Sequence, residues 1–131
     1  MALLKFELVS PERLLLSAEV QQVTVPGTEG LFTVLPGHAP VLSTLRPGVV
    51  DVTTAEAQHE RIFVRGGFAE VNPRGLTILA EVAIPLAELD SAALERQISA
   101  AAEDVNDAQD DETRRRAQES LDHLKDLRSA L

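Results

Sequence analysis

Residues Gly30 to Gly48 read GLFTVLPGHAPVLSTLRPG. Two Pro-Gly pairs, Pro36-Gly37 and Pro47-Gly48, bracket a short apolar run that holds one histidine, His38. Proline presets φ and glycine permits a left-handed backbone, so each pair marks a tight turn. The stretch reads as strand, turn, short apolar segment, turn, strand. Its middle, Ala39–Leu45, is also compatible with a short helical turn. Nothing in it carries the residue types of catalysis.

The same grammar continues on both sides. Leu4–Val9 and Val20–Val25 alternate apolar and polar residues. Leu31–Leu35, Val49–Thr53, Arg61–Val64, Phe68–Val71 and Leu76–Val82 are further strand candidates. Pro26-Gly27, Gly30, the polar run Glu56–Glu60 and Asn72-Pro73-Arg74-Gly75 separate them. Many short strands with turn signals between them predict a β-sandwich or barrel.

The regime changes near residues 84–89. All seven prolines lie at or before Pro85, and all seven glycines at or before Gly75. Beyond that point the chain is rich in Ala, Leu, Glu, Asp, Gln and Arg, a composition that favours helices. Leu94, Ile98, Ala101 or Ala102, and Val105 recur at helical spacing. So do Ala117, Leu121, Leu124, Leu127 or Arg128, and Leu131. Asp90 or Ser91 would cap the first helix, and the polar tract Asn106–Glu112 would hold the turn. The reading is a β-sandwich or barrel domain over 1–85 and an α-helical hairpin domain over 86–131, linked by Ile84–Glu88. The first helical stripe is mostly alanine and buries little area, so such a hairpin is marginally stable alone.

Composition sets bounds. The chain has 131 residues, no cysteine and a net charge of −9. Cysteine-based metal sites and disulfides are excluded, and the lack of cysteine fits a reducing compartment. The acidic balance argues against unassisted binding to nucleic acid or anionic lipid. No stretch approaches the roughly 18–20 apolar residues of a membrane span, so direct membrane insertion is not expected. His38, His59 and His123 lie far apart without metal-ligand spacing, so no metal site is expected. Arg65-Gly66-Gly67-Phe68 lacks the Lys-Ser/Thr and following helix of a phosphate loop. It reads instead as a bulge or close backbone approach.

Two blocks carry a family resemblance: Gly30–Gly48, and Gly66-Gly67-Phe68-Ala69-Glu70-Val71 followed by Thr77-Ile78-Leu79-Ala80. Together they resemble the signature of the epsilon subunit of bacterial and chloroplast F-type ATP synthases. The resemblance implies a non-catalytic rotor subunit, with no cofactor, that couples c-ring rotation to ATP synthesis. It implies the gamma subunit and the c-ring as partners, with the catalytic α/β hexamer as a further partner of the C-terminal helices. It also implies a place on the cytoplasmic face of the bacterial inner membrane, held there through the complex.

By that resemblance, Glu29, Gly30 and Leu31 at the Gly27–Leu31 turn meet the c-ring, and His38 meets gamma. The residues alone also allow a solvated hairpin tip and a locally bonded turn histidine. The resemblance offers Arg114, Arg115 and Arg116 to an acidic loop of the catalytic subunits. On sequence alone a self-paired helix is favoured, with Asp110, Asp111 and Glu112 each four residues before an arginine. Many family members bind ATP through an Ile/Leu-Asp-x-x-Arg-Ala motif. Here Leu89-Asp90 survives but Ala93 replaces the arginine, so Asp90 is a vestige that serves as a helix cap. A free-standing β-sandwich adaptor is the alternative reading. A cupin-type metal enzyme is a third, disfavoured because its histidines would cluster.

Overall fold

The computed structural model describes residues 2–11 and 14–129. Leu131, expected in the second helical stripe, lies outside them. Seven strands come first: β1 (Leu4–Val9), β2 (Leu14–Gly27), β3 (Gly30–Val34), β4 (Val41–Thr44), β5 (Gly48–Thr54), β6 (His59–Asn72) and β7 (Gly75–Pro85). A 3-10 turn at Leu86–Glu88 leads to two helices, α1 (Ser91–Asp107) and α2 (Asp111–Ser129). The chain forms two compact units, Met1–Ala87 and Glu88–Leu131.

In the first unit the long strands serve two layers. The start of β2 pairs with β1, and its later half pairs with β3 and β5. The first half of β6 pairs with β5, and its second half with β4. One layer is therefore β3-β2-β5-β6, the other β4-β6-β7-β1-β2. Among the described residues only β1 and β7 run parallel. Strands that cross from sheet to sheet make the corners of such a sandwich.

Alternation fills the interior. Phe6, Leu8, Val23, Val25, Val50, Val52, Val64 and Ile78 are fully buried. Each such side chain contributes roughly 1.5–3 kcal/mol. The corner in β6 depends on Gly66 (φ 73°) and Gly67 (φ 93°). A Cβ on Gly67 would collide with the Leu79 carbonyl oxygen. The Gly-Gly pair thus marks a close backbone approach with no inserted residue, since Arg65 and Gly67 face Val82 and Ala80 in step.

Several sequence expectations need correction. Arg61–Val64 and Phe68–Val71 are one strand, because glycine lets the backbone bend without losing its partner. Ala39–Leu45 is no helical turn: Val41–Thr44 is β4, an edge strand on β6. β2 begins at Leu14, whose Leu14-Leu15-Leu16 run hides the alternation. A register shift at Leu8/Val9 accommodates that run. Ile84 and Pro85 belong to β7 and not to a linker.

Register fixes the outward faces. On the second layer, Leu14, Val9, Leu79, Phe68 and Thr44 stand side by side across five strands. On the first layer the comparable row is polar: Thr33, Thr24, Asp51 and Arg61. Thr24 and Thr33 share a 3.0 Å hydroxyl bond.

In the second unit, α1 buries Leu94, Ile98 and Ala101, and α2 buries Leu121 and Leu127. The turn is shorter than expected, residues 108–110. Arg128 reaches Glu95 across the hairpin at 3.5 Å.

Gly67→Ala is expected to destabilise the sandwich by more than about 2 kcal/mol, because it adds steric collision to an unfavourable φ. A urea melt of the full chain, followed by intrinsic β-sheet dichroism, measures it.

Candidate functional site

The β2–β3 turn is Thr28-Glu29, closed by the Gly27–Gly30 pair. Gly30 has φ 131°, which suits glycine. The turn is anchored to the neighbouring edge. Thr28 donates its N–H to the Thr44 carbonyl at 3.0 Å, and Arg46 donates to Pro26 at 3.0 Å. The tip residues Glu29, Gly30 and Leu31 are therefore held against β4.

His38 follows Gly37, whose φ is 82°. Its backbone N–H donates to the Leu35 carbonyl at 3.0 Å. Its Nδ1 lies 2.6 Å from the Ala39 carbonyl oxygen. A carbonyl only accepts, so Nδ1 carries the proton and the ring is fixed by its own turn.

These elements meet. Glu29, Gly30, Leu31 and His38 line one open groove of about 580 Å³, together with Val41 and Leu42. Its lips are apolar: Leu31 is 64% exposed and Leu42 66%. Glu29 has no cationic partner among the described residues. A groove with apolar lips, one acid and one fixed imidazole suits recognition of a polypeptide surface. It offers no nucleophile–base pair.

The other expected residues lie in the second unit. Arg114 contacts Asp111 at 3.3 Å and donates to the Ala108 carbonyl at 3.1 Å. Arg115 pairs with Glu119 at 3.3 Å, and Arg116 with Glu112 at 2.7 Å. Only the last pair follows the expected acid-before-base spacing. Asp110 is diverted to cap α2, accepting from the Thr113 N–H at 2.7 Å and its hydroxyl at 3.0 Å. Asp90 caps α1 by accepting from Ala92 and Ala93 N–H groups at 3.0 and 3.3 Å. Ala93 contributes only a methyl group, so this helix start offers no cation to a polyphosphate.

Sequence reading missed two features. Asp51 accepts from His59 Nδ1 at 2.9 Å and lies 3.6 Å from Arg61 Nε. These are exposed cross-strand contacts worth little. The second is a concavity of about 380 Å³ floored by Phe68 and Leu79, with Val9, Pro11 and Glu81 around it. Among the described residues no group of three or more His, Asp or Glu could hold a metal ion, and no helix is long and apolar enough to cross a membrane.

Residues 3–86 match the family model described as ATP synthase, Delta/Epsilon chain, beta-sandwich domain. The chain belongs to this ATP synthase delta/epsilon family. It is 58% identical over 125 residues to the ATP synthase epsilon chain of Parvibaculum lavamentivorans, covering 95% of each chain. It is 50% identical over 127 residues to that of Mesorhizobium japonicum, covering 97% of this chain and 94% of the relative. Among solved structures it is similar to a chain of the Euglena gracilis mitochondrial ATP synthase (OSCP/F1/c-ring). The TM-score is 0.83 and the identity 26%, over 99% of this chain and 82% of that one. The resemblance read from the two sequence blocks is thus confirmed, as is the sandwich-then-helices fold.

The Thr113 backbone N–H, then its hydroxyl, hold the Asp110 carboxyl below its ordinary value. A depressed folded value means that the cap's contribution is full above the unfolded carboxylate range. It is lost as pH falls through the folded value. Far-UV circular dichroism on acid titration should therefore show helix loss in the wild-type chain that is blunted in Asp110→Asn, whose amide oxygen still caps. Asp110→Ala should show weakened helix at every pH.

Proposed function

We propose that this chain is a non-catalytic rotor subunit of the ATP synthase central stalk, coupling ion-driven c-ring rotation to ATP synthesis. The observation that carries the reading is the single groove joining the Glu29–Leu31 tip to His38, on a chain of this family. In this reading Glu29, Gly30 and Leu31 face the c-ring and His38 faces gamma. Because one groove holds both, it lies where shaft and ring meet. The anchored turn and the fixed imidazole keep that junction stiff, as torque transmission requires.

The C-terminal helices supply regulation of ATP hydrolysis in this reading. Arg114, Arg115 and Arg116 sit in exposed intrahelical pairs, each worth well under about 1 kcal/mol. Such pairs are readily exchanged for an acidic loop on the catalytic α/β subunits. The two units are proposed to fold independently, with the boundary near residues 85–88. The complex holds the chain at the cytoplasmic face of the bacterial inner membrane.

Detergent-solubilised membranes should yield the full chain together with gamma and the c-ring through gel filtration. Glu29→Lys with Leu31→Ser should reduce c-ring retention about tenfold, the scale of losing one apolar anchor and one favourable charge. A wild-type chain that elutes alone would end the stalk reading. Calorimetric titration should show no micromolar ATP affinity, since Ala93 cannot make the charge-assisted bond an arginine would. Tight ATP binding would restore the nucleotide site.

A further inference from the structure

Lys5, His38 and Arg74 come from three separate segments and line one concavity of about 420 Å³. Lys5 lies on β1, His38 in the turn after β3, and Arg74 in the β6–β7 turn. The backbone holds them together. Asn72 Oδ1 accepts the N–H groups of Arg74 at 2.8 Å and of Gly75 at 3.2 Å, which fixes the turn. Gly75 lies so close to β1 that a Cβ would strike the Lys5 carbonyl oxygen, and its φ is 146°. Both conditions call for glycine, and the close approach brings Arg74 beside the strand that carries Lys5. The imidazole is held by the bond from its Nδ1–H to the Ala39 carbonyl.

The charge of this concavity runs against that of the chain. The net charge is −9, yet no carboxylate lines the concavity. Neither Lys5 nor Arg74 forms an ion pair among the described residues. Glu7 lines an adjoining concavity of about 230 Å³ with both cations, but it lies within ion-pair distance of neither. Like charges that share a concavity repel, and an anion between them relieves the repulsion. Arginine offers a planar fork to two oxygens of such an anion, and lysine a point charge. The ring adds a different capacity. With the proton on Nδ1, the neutral imidazole presents Nε2 as an acceptor, and Nε2 has no partner among the described residues.

We propose that this concavity binds a free phosphate ion. Arg74 and Lys5 donate to its unprotonated oxygens, and its P–O–H group donates to His38 Nε2. Inorganic phosphate keeps a P–O–H group at neutral pH, whereas sulfate and a phosphodiester keep none. The imidazole therefore makes the site selective for phosphate over both of those anions, where two cations alone would take any of them. The site goes beyond the stalk reading and does not rest on it. It uses neither Asp90 nor any other residue of the second unit. His38 also lines the Glu29–Leu31 groove, so the two sites share one ring.

The test is a titration of the isotope-labelled full chain with inorganic phosphate, followed by amide NMR at an ionic strength held constant with chloride. The Lys5, His38, Arg74 and Gly75 amides should shift and saturate. Sulfate should bind at least about fivefold more weakly, the scale of one lost hydrogen bond. Lys5→Gln and Arg74→Gln should each weaken phosphate about tenfold, as for a lost charge-assisted bond. Glu7→Gln should strengthen it about twofold by removing a nearby exposed anion. His38→Ala should bring phosphate and sulfate to equal affinity, which a merely basic surface would not show. The same spectra report whether each variant is folded. Shifts that do not saturate, sulfate bound as tightly as phosphate, or unchanged affinity in a folded Lys5→Gln, Arg74→Gln chain overturns the site. Vesicles of phosphatidylglycerol should not retain the chain. Retention that free phosphate cannot displace would assign the cations to a lipid diester and overturn the proposal.

Discussion

One strand serving two sheets is the constraint on which the sandwich depends. β6 pairs with β5 at its start and β4 at its end, while β7 follows it for most of its length. A strand can do this only if its backbone turns sharply without giving up its partner. Gly66 and Gly67 provide the left-handed conformations, and Gly67 has no Cβ to strike the Leu79 carbonyl. The placement of every later side chain on β6 derives from that corner. Ala69 and Val71 point inward and Phe68 and Glu70 outward because register resumes in step beyond it.

The second unit rests on weaker ground. Its buried positions number five among the described residues, against the seventeen-residue core cluster of the sandwich. Helices in proteins draw most of their stability from the face they bury. Here that face is narrow, so local devices matter more. Asp90 and Asp110 each satisfy two donors near a helix start. The three arginines are held by neighbours on their own helix, and Arg114 also by the carbonyl of Ala108. An element stabilised by caps and exposed ion pairs can rearrange at low cost, whereas the sandwich cannot.

Much of this was legible from residues alone, for identifiable reasons. Turns declare themselves through Pro-Gly pairs, so the strands around Gly30–Gly48 could be placed. The switch to helix was visible because glycine and proline cease together. The cap at Asp90 follows from side-chain chemistry that acts over two or three residues. Less visible were the non-local features. The continuity of β6 through Arg65–Phe68 depends on β7 lying alongside. The diversion of Asp110 from Arg114 depends on where α2 begins: a start at Asp111, inside the polar tract, leaves Asp110 as the capping residue. Either face of an alternating strand looks alike in sequence, so the apolar face could not be chosen until β1 was found parallel to β7.

That parallel pairing sets apart two kinds of surface on the sandwich. It places Val9 beside Leu79, and the bulge then adds Leu14, so an apolar row spans strands far apart in sequence. The Glu29–His38 groove arises differently, from a hairpin tip bonded to the end of β4 and a second turn closed on itself. A surface made of sheet rows is broad and nearly flat, suited to lying along an elongated partner. A surface made of anchored turns is small and projects, suited to meeting loops. In the proposed rotor role both kinds of contact belong on one rigid body, because compliance between them would dissipate rotation. The sandwich core supplies that rigidity, because a close-packed interior resists deformation and β2 and β6 each run through both layers.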